Sequence, residues 1–176
     1  MAGTTGAEPI RYGIIGTGMM GCEHILNLGH IDDAVVVAIS DPNAPSLEMA
    51  QACIDVGPSG RRSERLGVYS DHAQLLARDD LDAVVIASPN HTHADVLALA
   101  SDVHVMVEKP VCTTVPDALR VRSLAAGRSS GGPPLMCWVA LEYRYMPTPA
   151  MLLDLVRANL LGTTRMVAIR EHRFPF

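Results

Sequence analysis

Short, mostly apolar runs alternate along the chain with stretches whose apolar residues recur at helical spacing. Residues 12–15, 34–40, 68–69, 83–87, 104–107 and 135–139 are dominated by Val, Ile, Ala, Met and aromatic residues, and each reads as a strand. Between them, residues 22–28, 45–54, 72–77, 93–100 and 115–126 read as helices, the first stopped by Gly29 and the third capped by Asp71. Apolar strands, each followed by a helix, specify a parallel sheet covered on both faces. The predicted class is α/β, a doubly wound parallel sheet spanning residues 11–147.

The flanks depart from this rhythm. Residues 1–10 are small and polar and predict a disordered tail, with neither the basic nor the apolar region of a targeting signal. Residues 55–67 and 127–134 are Gly-, Pro- and Ser-containing connectors. The charges of the first (Arg61, Arg62, Glu64, Arg65) fit a solvated loop better than a phosphate site. Beyond residue 147 a helix is predicted over 150–159, with Leu152, Leu153, Val156 and Leu160 in one apolar stripe and Gly162 as its stop. Residues 163–171 alternate as a strand would. A lone strand after a completed sheet has nothing to pair with, so residues 148–176 read as a linker helix and the first strand of a truncated α+β domain.

Composition adds exclusions. A hydrophobic share of 48% against 19% charged residues describes a soluble globule, and an aromatic share of 4% makes its core aliphatic. A net charge of −5 argues against nucleic-acid binding, which needs a basic face. No apolar run approaches the roughly 18 residues of a membrane span. Cys22, Cys53, Cys112 and Cys137 are scattered, as reduced thiols of a cytoplasmic protein are.

Candidate chemistry begins at the end of the first strand. Gly16-Thr17-Gly18-Met19-Met20-Gly21 has the G-x-G-x-x-G spacing between a strand and a helix. Gly16 permits the tight turn, Gly18 lets a pyrophosphate approach the backbone, and Gly21 lets the helix pack on the strand, while the helix N-terminus offers free N–H groups to phosphate. Asp41 ends the second strand about twenty residues later, where a carboxylate accepts the ribose hydroxyls of NAD and repels the 2′-phosphate of NADP. A turn or N-cap role before Pro42 is the competing assignment. Together these features predict a Rossmann domain that binds NAD in preference to NADP.

Two further segments follow strands, where such folds place their ligands. They are Ser88-Pro89-Asn90-His91-Thr92-His93 and Glu108-Lys109-Pro110. With the glycine turn, Asp41 and the Glu142–Pro147 stretch EYRYMP, they resemble the glucose-fructose oxidoreductase / inositol dehydrogenase / MocA family from Tyr12 to Phe176. The resemblance implies NAD-dependent transfer of a hydride between nicotinamide and a hydroxyl of a sugar, inositol or polyol. It implies that Ser88, Pro89, Asn90 and His93 line the nicotinamide-ribose side of the cofactor. Glu108 then approaches the nicotinamide ribose, Lys109 reaches cofactor and substrate hydroxyl, and the bond to Pro110 is cis. Relatives of this kind are about twice as long, and their second domain supplies the substrate wall and often a homo-oligomer interface. A chain ending at Phe176 is then expected to keep the cofactor site and to turn over slowly or not at all. One departure is Ser101-Asp102-Val103 where the family has Ala-Gly-Lys, which puts Asp102 at a helix-ending position that favours the left-handed backbone.

The chemistry of the residues agrees. Oxidising an alcohol needs a group to take the hydroxyl proton, and a lysine at a strand end can serve as that base or as a hydrogen-bond donor. Lys109 is therefore the candidate catalytic residue, with a surface lysine as the plain alternative. His91 and His93 lack a third ligand for a metal site, and His93 reads either as a helix-start polar contact to cofactor or as a plain helix cap. His24 reads as a surface or packing histidine. Tyr143 and Arg144 fit contacts to nicotinamide or substrate and inter-domain packing equally. The alternative function is a non-catalytic nucleotide-binding or interaction module whose terminal strand pairs with a partner.

Overall fold

Valine and isoleucine on consecutive positions need apolar cover on both sides of a strand, and the structure supplies it. The computed structural model describes residues 8–57, 66–127, 134–170 and 172. The chain runs β1 (Ile10–Ile15), α1 (Met19–Leu28), β2 (Ala34–Ser40), α2 (Ala44–Val56), β3 (Gly67–Tyr69), α3 (His72–Leu76), β4 (Ala83–Ile86), α4 (His93–Leu99), β5 (His104–Glu108), α5 (Val115–Gly127) and β6 (Cys137–Ala140). The strands form one sheet in the order β3-β2-β1-β4-β5-β6, with every neighbouring pair parallel. This is the doubly wound Rossmann order, and its switch point lies between β1 and β4, where ligands bind at the strand ends.

Neighbouring residues on one strand fall into opposite cores, as a period of two requires. Ile15 and Val84 join Leu75, Leu97, Val107 and Val121 on one face. Ile14 and Val85 join Ile25, Leu28, Ile39 and Ile54 on the other. β1 starts earlier than the apolar run suggests, because Ile10 and Arg11 pair with Ala34 and Val35 despite the polar side chain. The helix cap at Asp71 forms, its carboxylate accepting from the Ala73 N–H at 2.9 Å.

At the end of the sheet away from the switch point, the Asp82 carboxylate accepts from the Arg11 backbone N–H at 2.8 Å and from its Nε and Nη2 at 2.9 Å. The guanidinium holds the Asp82 carboxyl below its ordinary range. A carboxyl depressed in the folded state contributes stability above its unfolded pKa of about 4, and loses it as pH falls through the folded value. Asp82→Asn is expected to cost stability at neutral pH and progressively less in acid. Urea melts at pH 7 and pH 3 check this; an equal difference at both would refute it.

The chain divides into two compact units between Ala140 and Leu141, ahead of the expected boundary at residue 147. The second unit contains a 3₁₀ turn, Glu142–Tyr145, and helix α6, Pro147–Arg157, with Pro147 in its first turn. Leu152, Leu153 and Val156 share α6 and are exposed, with Leu152 at 44% and Val156 at 44%, while Leu160 lies beyond the end of the helix. The helix ends before Gly162, and Asn159 takes the left-handed backbone at φ 56°. The predicted terminal strand does not form: residues 163–170 are in no sheet. Alternation defines two faces of an extended segment but supplies no hydrogen-bonding neighbour. Asp102 is likewise not left-handed, Asn159 being the non-glycine residue with positive φ among those described. The tail over residues 1–7 and the connector cores, 58–65 and 128–133, lie outside the described residues.

Candidate functional site

Four strand ends, those of β1, β2, β3 and β4, are stitched together around the glycine turn. The Gly16 N–H donates to the Ser40 carbonyl at 2.8 Å, Ala87 N–H to Ile15 at 2.7 Å, and Asp41 N–H to Tyr69 at 3.1 Å. Gly16 has φ +87°, and a Cβ there would lie 2.5 Å from the Ser88 backbone nitrogen and 2.6 Å from the Ala87 carbonyl. The turn thus demands glycine twice, for its backbone angle and for its approach to the segment after β4. A Cβ on Gly21 would meet the Gly16 carbonyl oxygen, so that glycine also serves packing.

Gly18 differs. It is the exposed N-cap of α1, no side chain caps the helix there, and a Cβ would meet no protein atom within 4 Å. The fold itself leaves that space beside free N–H groups open, as a site for phosphate needs. Met19 is 70% exposed beside it and Met20 half-buried. Thr17 and Ser40 are buried, and their hydroxyl oxygens have no partner.

Asp41 does more than end β2. Its Oδ2 accepts from the Thr17 N–H and its Oδ1 from the Asn43 N–H, each at 2.8 Å. The turn expected before Pro42 is thus made by Asp41, while Asn43 caps α2. An ionised carboxylate has about four lone-pair sites, so two acceptor positions remain for ligand hydroxyls. The glycine turn and the acidic strand end are one rigid unit.

The second half of the site is fastened by His93. Its ring is fully buried, with Nε2 2.8 Å from the Ser88 carbonyl and Nδ1 2.9 Å from the Pro110 carbonyl. Both partners only accept, and a neutral ring with one N–H can donate to one of them at a time. His93 therefore presents no atom to a ligand at the surface; it joins the segment after β4 to the cis Lys109–Pro110 bond after β5. The Thr92 hydroxyl donates to the Pro89 carbonyl at 2.7 Å, so Ser88 Oγ is the donor in its 2.7 Å contact with Thr92. Pro89, Asn90, Lys109 and Pro110 are exposed around this bridge.

The structure places Glu108 inward. It is 6% exposed, with Oε1 2.9 Å from His24 Nε2 and Oε2 accepting the Lys109 N–H at 3.1 Å. His24 is the residue that sequence reasoning missed, treating it as ordinary. A signal was present: it lies one helical turn from Gly21 and one from Leu28, both on the buried stripe of α1. Lys109 itself is exposed, so the desolvation a base needs is not supplied by the described residues.

Other candidates fall away or stand apart. Burial, with Cys53 alongside, pushes the Cys22 thiol up to about 11, and a protonated thiol is no nucleophile. His91 is exposed, and no group of three metal-ligating side chains occurs among the described residues. A groove of about 390 Å³ between α4 and α5, lined by Leu97, Arg120 and Leu124, includes none of the site residues. Tyr143 and Arg144 belong to the second unit's 3₁₀ turn, and exposed His172 lies beyond its helix.

These residues fit a dinucleotide: an open glycine at a helix N-terminus, a fixed carboxylate at the next strand end, and exposed polar groups after β4 and β5. Comparison with known proteins points the same way. Residues 10–130 match the family model GFO_IDH_MocA, an oxidoreductase family with an NAD-binding Rossmann fold. Inositol 2-dehydrogenase 4 of Saccharopolyspora erythraea is 32% identical over 158 residues, 87% of this chain and 42% of that protein. An inositol 2-dehydrogenase of Pseudarthrobacter chlorophenolicus is 31% identical over 96% of this chain and 47% of its own length. Among solved structures, myo-inositol dehydrogenase from Lactobacillus casei, in complex with NAD(H) and myo-inositol, is 28% identical with a TM-score of 0.71. The match covers 88% of this chain and 43% of that one. The chain thus spans less than half the length of these relatives.

Proposed function

The chain belongs to the Gfo/Idh/MocA oxidoreductase family, and on that premise we propose that it is the cofactor-binding half of an NAD-dependent dehydrogenase acting on a polyol hydroxyl. Inositol or a related sugar is the substrate class. The observation that carries this reading is Gly18, whose missing side chain serves no contact within the protein and opens the first turn of α1 to a pyrophosphate. A cytoplasmic setting is inferred from the four free thiols. We further assign no nucleic-acid or membrane partner, and a homo-oligomer as the working form.

Bound NAD supplies the hydride acceptor. The α1 N-terminus and Gly18 hold its phosphates, and Asp41 accepts its adenosine ribose hydroxyls. Ser88, Pro89 and Asn90 line its nicotinamide end. In this reading Lys109 would be the group that holds or accepts the proton of the substrate hydroxyl. The rest of the substrate wall belongs to sequence beyond the sheet.

Thermal unfolding with added nucleotide tests the cofactor assignment. At a hundred times its dissociation constant, a ligand stabilises by about 2.7 kcal/mol. NAD⁺ is expected to raise the melting temperature clearly and NADP⁺ much less, because a carboxylate at the end of β2 would repel a 2′-phosphate. No response to either would overturn the assignment; a selective response to NADP⁺ would overturn the role of Asp41.

A further inference from the structure

The reaction outlined above makes no use of the contact between His24 and Glu108. The two residues are 84 positions apart, and each sits at a strategic place. His24 is in α1, the helix that starts at Gly18, where the proposed function places the phosphates. Glu108 is the last residue of β5 and immediately precedes Lys109. Their side chains are 15% and 8% exposed, and the nitrogen–oxygen distance is 2.9 Å. A carboxylate this far from water is tolerated only when its oxygens are paired. One Glu108 oxygen is paired by the His24 ring and the other by the Lys109 backbone N–H.

We propose that His24 is a positioning residue for Lys109: it holds the Glu108 carboxylate in the orientation that fixes the Lys109 backbone, tying the phosphate end of the cofactor site to its catalytic end. The catalytic meaning of the link rests on the NAD-dependent reading, but the link itself is a property of the chain without nucleotide. Its chemistry is specific. Glu108 accepts, so the His24 proton is on Nε2 and not on Nδ1 alone. Leucine at position 24 would leave a buried carboxylate with no side-chain partner, and the carboxylate would turn toward water and release the Lys109 N–H. Glutamine would return an N–H donor close to the position of Nε2.

The test combines a nucleotide-free measurement with a kinetic one. In the nitrogen-15-labelled chain without nucleotide, His24 is expected to carry its proton on Nε2, and Glu108→Gln is expected to shift its ring nitrogens. Amide exchange at Lys109 should quicken about tenfold or more in His24→Leu and stay near wild type in His24→Gln. In the protein at its native length, with NAD⁺ and myo-inositol, His24→Leu should lower kcat about tenfold or more with KM for NAD⁺ nearly unchanged. His24→Gln should recover most of that loss. An Nε2 without a proton, ring nitrogens indifferent to Glu108→Gln, or equal Lys109 exchange and kcat in the two His24 variants would each overturn the proposal. Should His24→Leu fail to fold, the wild-type ring measurement and the Gln variants still decide it. Absence of any nucleotide response in wild type would instead strike the NAD reading and leave the exchange result standing.

Discussion

Lys109→Ala, made in the protein at its native length, is expected to lower kcat by about 10²–10⁴-fold, the range that a positioned proton-transfer group contributes. The response of the melting temperature to NAD⁺ should hardly change. The separation follows from the geometry. The Lys109 side chain is exposed, whereas its backbone N–H is held by the Glu108 carboxylate. Truncation to alanine therefore removes Nζ and leaves the loop in place. A steady-state comparison with myo-inositol, run beside nucleotide thermal shifts on both proteins, checks it. Unchanged turnover would remove Lys109 from the chemistry, and an equal loss of nucleotide response would make it a binding residue instead.

Much of this site was legible in the sequence because its parts are local. A strand, a glycine turn and a helix are contiguous, so the spacing of Gly16, Gly18 and Gly21 shows directly the tight turn that joins β1 to α1. Asp41 and the segments at 88–93 and 108–110 are legible because each follows an apolar run that a parallel sheet must end at the same edge. What spacing does not show is the partner of a side chain. His24 and Glu108 meet only because α1 and β5 come together in space. His93, expected at the start of a helix either to touch cofactor or to cap it, does begin α4, but its ring fastens two loops through carbonyls that no pattern marks. Asp41 reads as an acceptor for ribose; the structure adds two backbone N–H partners, from Thr17 and Asn43, that no spacing marks. The terminal strand failed for the converse reason, since alternation was present and a neighbour was not.

One methyl group placed at two positions of the turn separates folding from binding. Gly16→Ala puts a residue with a Cβ at φ +87° and drives that carbon to 2.5–2.6 Å from the backbone of Ser88 and Ala87. Backbone atoms cannot step aside as a side chain can, and the strained conformation alone costs about 1–3 kcal/mol. With the clash added, a loss of about 2–3 kcal/mol is expected, lowering the melting temperature by roughly 4–12 °C for a chain of this size. Gly18→Ala meets no protein atom within 4 Å, and its backbone, at φ −67°, is open to any residue. Its folding stability should stay within about 1 kcal/mol of wild type, alanine being a poorer N-cap than glycine. The methyl then occupies the space that the pyrophosphate needs. If affinity for NAD⁺ falls roughly a hundredfold, a concentration that stabilised wild type by about 2.7 kcal/mol stabilises the variant by about 0.4 kcal/mol. Melting curves of both variants, with and without NAD⁺, give the four numbers required. A Gly18→Ala protein that responds to NAD⁺ as wild type does would mean that the open space above α1 is not where the phosphates lie.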